Sequence, residues 1–157
     1  MKNNTPEIRP PKNDEEIAAA VAILAGSDPW MTLGIKAGEI KERFYDPMLE
    51  SFVVLHGREV IGTATIQMKG ACTGYIKSLA VKEGWRNHRT GSRLMDFLEE
   101  KIFSVLPNVF LCVSSFNREA KKFYVKRGYE EIGVLKDFTV KGYDEIFMRK
   151  TTGPLFG

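Results

Sequence analysis

The sequence predicts an α+β fold: one domain on a mixed, mostly antiparallel central sheet with helices on both faces. Three observations lead there. Two helix-patterned segments come first and a meander of strand-like runs follows, joined by short glycine-bearing loops. After about residue 75 strands and helices alternate instead, which makes the sheet mixed. The length, 157 residues, is about one domain's worth.

In chain order, residues 1–6 read as a poorly ordered tail, 7–150 as the domain and 151–157 as a C-terminal tail. Glu7 to Arg9 can open a short edge strand that Pro10 and Pro11 stop. Asn13 or Asp14 can cap a helix carrying Ile17, Val21 and Leu24 on one face, ended by Gly26. Ser27-Asp28-Pro29 reads as a turn, and Ala37 to Phe44 as a second helix on propensity. Ser51 to Leu55 and Val60 to Met68 flank His56-Gly57-Arg58 as a hairpin. Tyr75 to Val81 is the next strand. Thr90 to Val105 sets Leu94, Leu98, Ile102 and Val105 on one stripe, hence a helix. Val109 to Val113 is a strand. Arg118 to Arg127 spaces Ala120, Phe123, Tyr124 and Arg127 as a helix stopped by Gly128. Tyr129 to Leu135 and Glu145 to Met148 supply the last strands.

Composition excludes several classes. With 43% hydrophobic residues and a net charge of only +3, the composition argues against a disordered chain, and the small surplus does not by itself imply a nucleic-acid or membrane partner. The polar start, Met1 to Glu16, has no apolar stretch for a leader, and the run Ile17 to Ala25 is too short for a membrane span, so a cytoplasmic protein is the expectation. Two cysteines, Cys72 and Cys112, sit in apolar, strand-like runs. They read as free buried thiols, with a disulfide between them as the alternative. No CxxC or Cys/His pattern marks a zinc site, and no metal is expected.

The chemically informative stretch runs from Leu79-Ala80-Val81 through Lys82-Glu83-Gly84-Trp85-Arg86-Asn87-His88-Arg89-Thr90-Gly91-Ser92 to Arg93-Leu94. A strand ends, and a basic glycine-bearing loop leads straight into a helix. Such a loop can aim backbone N–H groups at one anion beside the positive end of a helix dipole. A solvated helix start beside surface arginines is the plainer reading. GxxxxGK[ST] and GxGxxG are both absent.

These residues resemble the signature of the GNAT superfamily of acyl-CoA-dependent N-acetyltransferases. That signature is a strand ending in Leu-Ala-Val, then Arg/Gln-x-x-Gly-x-Gly/Ala opening a helix. Leu79-Ala80-Val81, Arg86 and Gly91 match it, and Arg89 stands where the first glycine is usual. A second motif follows with Asn117, Ala120, Phe123-Tyr124 and Gly128-Tyr129. It resembles the family's Asn-x-x-Ala-x-x-x-Tyr-x-x-x-Gly-Phe pattern, with Tyr129 for the final Phe.

The resemblance implies acetyl-CoA as cosubstrate and a primary amine as acceptor, without nucleic-acid or membrane partners. It implies that Asn87, His88, Arg89, Thr90, Gly91 and Ser92 hold the CoA pyrophosphate, with Arg86 beside them. The edge of Leu79, Ala80 and Val81 would pair with the pantetheine arm as an added strand does, and Arg89 would itself reach a phosphate. Tyr124 would protonate the departing thiolate; packing on its helix is the competing reading. Asn117 can cap its helix, contact the cofactor, or both. Trp30, expected in a loop, can wall the acceptor pocket or anchor the first helix. No general base is evident: Tyr75 to Val81 lacks a carboxylate, and Cys112 stands where some relatives carry glutamate. A base-free site relaying through water favours an acceptor amine of lower pKa. His56 reads as a surface residue, and Lys121, Lys122, Lys126 and Arg127 as a solvated face. Small enzymes of this kind often pair, so a homodimer is among the expectations. Two rivals stand beside transfer: a non-catalytic CoA-binding module, and, more weakly, a basic nucleic-acid binder.

Overall fold

The computed structural model describes residues 5–157; most of the expected N-terminal tail, residues 1–4, lies outside them. Seven strands form one sheet: β1 Glu7–Arg9, β2 Leu49–His56, β3 Glu59–Gln67, β4 Tyr75–Val81, β5 Asn108–Ser114, β6 Glu130–Leu135 and β7 Glu145–Thr151. Their order across the sheet is β1-β2-β3-β4-β5-β7-β6, and only β4 and β5 pair in parallel.

The helices are α1 Asp14–Ala25, α2 Trp30–Leu33, α3 Ala37–Glu42, α4 Thr90–Phe103 and α5 Arg118–Lys126. Caps set the ends of α1 and α5. The Asn13 side chain accepts from Glu16 N at 2.9 Å and starts α1. Asn117 does the same for α5 through Ala120 N at 3.3 Å. Gly128, at φ +95, ends α5 as its pattern requires.

The strand β2 shows why the sheet has two covered faces. Phe52, Val53, Val54 and Leu55 are all buried. With side chains alternating, Phe52 and Val54 meet Leu94, Met95, Leu98 and Ile102 of α4, while Val53 and Leu55 meet Ile17, Val21, Leu24 and Ile40 of α1 and α3. Beyond the apolar contacts, a polar cluster joins three elements on the α4 side. Buried Glu99 on α4 accepts from Lys150 Nζ on β7 at 2.9 Å, from Tyr129 at 3.1 Å and from Arg127 at 3.2 Å. Arg127 is therefore no part of a solvated face.

Several expectations are corrected. Trp30 opens a short helix, α2, following a cis Asp28–Pro29 bond, and is not in a loop. The second helix stops at Glu42, and Arg43–Tyr45 tightens into a 3₁₀ turn. Helix α4 stops at Phe103, so Val105 leaves the stripe and is exposed; Pro107 follows too closely for another turn. The strand β7 runs past residue 150 because Thr151 pairs with Asn108. Cys72 lies in the β3–β4 loop; both cysteines are free and half-buried. His56 packs against Trp85, the rings tilted at 45° with centroids 4.6 Å apart. No helix among the described residues is long and apolar enough to cross a membrane.

Candidate active site

The sheet opens at its centre. Strands β4 and β5 pair only at Tyr75–Phe110 and Ile76–Leu111, although both continue beyond that point. A bulge helps part them. Thr65 of β3 pairs with Ser78 and Ile66 with Ile76, which leaves Lys77 as the extra residue. A bulge adds local twist and bends its strand. From Ser78 to Val81 the β5-facing edge of β4 has no strand beside it among the described residues. A cleft of about 870 Å³ fills the gap, lined by Leu79, Ala80 and Val81 on one wall and by Cys112, Val113 and Ser114 on the other.

At the mouth of β4 the loop turns into α4. Asn87 and Arg89 both hold the left-handed backbone conformation, at φ 65 and 61. This fits the Arg89 position: the residue stands where glycine is usual, and glycine adopts this conformation without strain. Loops that mix left- and right-handed residues cup their N–H groups into anion-binding hollows. Asn87, His88, Arg89, Thr90, Gly91 and Ser92 lie outside the cleft lining, in the loop and first turn of α4 just past it. Arg86 does line the cleft, yet its guanidinium is engaged at home: Nε donates to Val81 O and Nη2 to Ser27 Oγ, both at 3.2 Å. It thus ties the end of β4 to the turn after α1.

The two faces of the cleft differ in chemistry. On the α4 and α5 face stands Tyr124, 9% exposed, its ring edge-on to Phe123 and Tyr129. Burial pushes its hydroxyl up to about 12 against a smaller opposing effect of Arg127, so it stays protonated at any physiological pH. Asn117 lines the same cleft beside it.

On the opposite face are Trp30, Tyr75, Cys112 and Glu145. Trp30 is 6% exposed, packs into the apolar cluster of α1 and α3, and is also among the residues that line the cleft. Tyr75 and Cys112 lie side by side, and burial raises both, keeping them neutral. Arg43, half-buried, faces Tyr75. Glu145 is the residue that sequence reasoning missed. It opens β7, pairs across to Ser114, and is 4% exposed, with Ser114 Oγ donating to its Oε1 at 2.8 Å. Nothing in the motifs marks it, since it lies beyond both of them.

The family that matches is the acetyltransferase (GNAT) family, over residues 15–129. The chain belongs to the GNAT acetyltransferase family. Solved GNAT structures share its fold. An aminoglycoside 6'-N-acetyltransferase complexed with coenzyme A superposes with a TM-score of 0.74 at 20% identity, covering 94% of this chain and 98% of that one. Ard1 from Thermoplasma volcanium gives 0.77 at 20%, covering 96% and 99%. The ribosomal-protein-S18-alanine N-acetyltransferase from Escherichia coli gives 0.73 at 15%, covering 96% of each. At these identities the likeness speaks for the fold. No curated protein matches the sequence. In this GNAT chain the two motifs meet at the cleft: Leu79–Val81 forms one wall, and Asn117 and Tyr124 of α5 border it from the α4 face.

Proposed function

We propose that the protein moves an acetyl group from acetyl-CoA to a primary amine by direct attack in the β4–β5 cleft. The observation that carries this is the parting of β4 and β5 after Ile76, which leaves a free strand edge facing Tyr124 across the cleft.

The residues present suit the cosubstrate. The free edge of Ser78–Val81 offers backbone donors and acceptors to an extended chain with amides of its own. Ser78 Oγ is buried without a hydrogen-bond partner, the sort of orphan atom that a polar ligand satisfies. The left-handed loop at Asn87 and Arg89 opens α4 with N–H groups suited to a pyrophosphate, and Arg89 and Arg93 are exposed beside it. Acetyl-CoA, when bound, supplies the thioester.

The chain's own groups then have separate tasks. Free N–H groups on the Leu79–Val81 edge polarise the thioester carbonyl. The amine nitrogen forms its bond to the carbonyl carbon, the C–S bond breaks with its electron pair on sulfur, and the nitrogen gives up its surplus proton to a base. Tyr124, which lines the cleft, would stand beside the sulfur. A hydroxyl pushed up to about 12 gives its proton uphill to a thiolate of ordinary pKa about 8.5. Tyr124 therefore acts foremost as a hydrogen-bond donor that stabilises the developing thiolate.

The test is CoA-thiol release across a panel of amines: an aminoglycoside, spermidine, free lysine, and a peptide with a free alanine N-terminus. Release with an acetylated amine as product supports transfer. Tight acetyl-CoA binding with no thiol released against any of them identifies a CoA-binding module instead.

A further inference from the structure

Glu145 is a charge without a counter-charge. The residue is 4% exposed, and its carboxylate's hydrogen-bond partner is the neutral hydroxyl of Ser114. No cation pairs with it among the described residues. A buried carboxylate in that position is costly unless something positive comes to it. Elsewhere in this protein the buried acid, Glu99, is met by a lysine and an arginine, so the lack of one at Glu145 stands out.

Its place in the fold says what could come. By strand alternation Glu145 and Cys112 lie on the face away from α4, where Ile146, Leu111 and Val113 do not. That face is the one covered by α1 and α3, and Glu145 lines the cleft there. Tyr124 borders the cleft from the α4 face. An amine entering from the α1 side and a sulfur leaving toward α5 would thus have Glu145 and Tyr124 on opposite faces of the sheet. The titratable groups set against Glu145 are Tyr75 on β4 and Cys112 on β5, both neutral at pH 7, and the Arg43 guanidinium lies beyond them, facing Tyr75 in the same cleft. Neither Tyr75 nor Cys112 can hold a proton as cation or repel one as anion.

We propose that Glu145 receives the acceptor amine as its ammonium and takes its proton during attack. This rests on the acetyl-transfer reading and deepens it. The carboxylate pairs with the incoming R–NH₃⁺ and accepts one proton to become the neutral acid. The nitrogen lone pair so released forms the C–N bond as the C–S pair departs on sulfur. The second nitrogen proton passes through water to the departing thiolate as the amide forms, giving the CoA thiol, and Glu145 returns its own to water before the next turnover. This carboxylate comes from β7 and takes the part that β4 and Cys112 lack. It also alters the expected acceptor. With a carboxylate to receive it, a basic amine can enter as its ammonium, while the proton transfer to Glu145 is easier the lower the amine's own pKa.

Burial raises the carboxyl above its ordinary 4.5, and the Ser114 hydrogen bond holds it partly down. A base so tuned gives a rate that rises with pH as it ionises. The experiment follows kcat against pH with the fastest amine of the panel, for the wild type, Glu145→Gln and Ser114→Ala, with acetyl-CoA affinity measured by calorimetry. Glu145→Gln is expected to lower kcat roughly 10²-fold and to abolish the acidic limb, with acetyl-CoA affinity unchanged. Ser114→Ala is expected to move that limb to higher pH, and it decides the matter if Glu145→Gln does not fold. A wild-type rate and an intact limb in Glu145→Gln overturn the proposal, as does an unmoved limb in Ser114→Ala. A wild type that acetylates no amine overturns the transfer reading itself.

Discussion

The carbonyl oxygen of Asn108 occupies the space that a Cβ on Gly74 would need. Gly74 sits at φ +76 just before β4, donates to Gln67 O at 2.9 Å and accepts from Phe110 N at 2.9 Å. It is therefore the seam that brings β4 against β5 for the two residue pairs before the cleft opens. Gly74→Ala must both strain a left-handed backbone and push Asn108 away. The cost should be about 2–4 kcal/mol. A thermal melt lowered by roughly 5–15 °C is expected, and an unchanged melt would mean that the seam yields freely.

Tyr124→Phe keeps the ring among Phe123 and Tyr129 and removes the donor. Stability should change little, since the hydroxyl makes no side-chain hydrogen bond among the described residues. The expected result is a kcat lower by roughly 10²-fold with the KM for acetyl-CoA nearly constant. Because the hydroxyl is pushed up to about 12, no basic limb below pH 10 should disappear with it. Full activity in Tyr124→Phe reduces the residue to packing.

Arg89 separates two effects that one substitution would mix. Its left-handed backbone costs about 1 kcal/mol for a residue with a side chain. Arg89→Gly removes both the guanidinium and the strain, while Arg89→Ala removes only the guanidinium. Arg89→Gly should melt higher than Arg89→Ala. Both should raise the KM for acetyl-CoA by about 2- to 5-fold, the size of an exposed ion pair. An unchanged KM in both would assign the phosphate site to backbone N–H groups alone.

Arg9 on β1 grips Glu16 on α1 through two hydrogen bonds of 2.8 Å. That bond above all, with help from Lys12 N, lowers the Glu16 carboxyl from 4.5 to about 2. A depressed folded-state pKa adds stability above the unfolded value, and that stability is lost as pH falls from about 4.5 through about 2. Glu16→Gln should thus lower the melting temperature at pH 7, and the gap from wild type should close as pH drops through that window. A gap that is constant with pH would contradict the ion pair as its source.

The legible parts of this protein were those where local spacing decides structure. The apolar stripe of α1, the cap at Asn117 and the stop at Gly128 need only neighbours within a few residues, and they stand where their patterns place them. The β2–β3–β4 meander likewise follows from its short loops, whereas the insertion of β7 between β5 and β6 does not. What stayed hidden depends on contacts distant in sequence. Glu145 reads as one more carboxylate until β7 sets it opposite Ser114, 31 residues away. Arg127 reads as a surface charge until α5 lays it beside Glu99, 28 residues back. Arg86 fits the motif, but its engagement with Ser27, 59 residues earlier, belongs to no motif. Short elements such as α2 escaped because four residues carry too little periodicity to read.

The central claim is direct transfer within the cleft, and the steady-state rate law tests it. Burial raises the thiols of Cys72 and Cys112, so neither is a ready thiolate nucleophile at neutral pH. Initial rates varied in both acetyl-CoA and amine should give intersecting double-reciprocal lines, with one CoA thiol released per amide formed. Parallel lines, or a burst of thiol before any amine is added, would reveal an acetyl-enzyme and contradict the account.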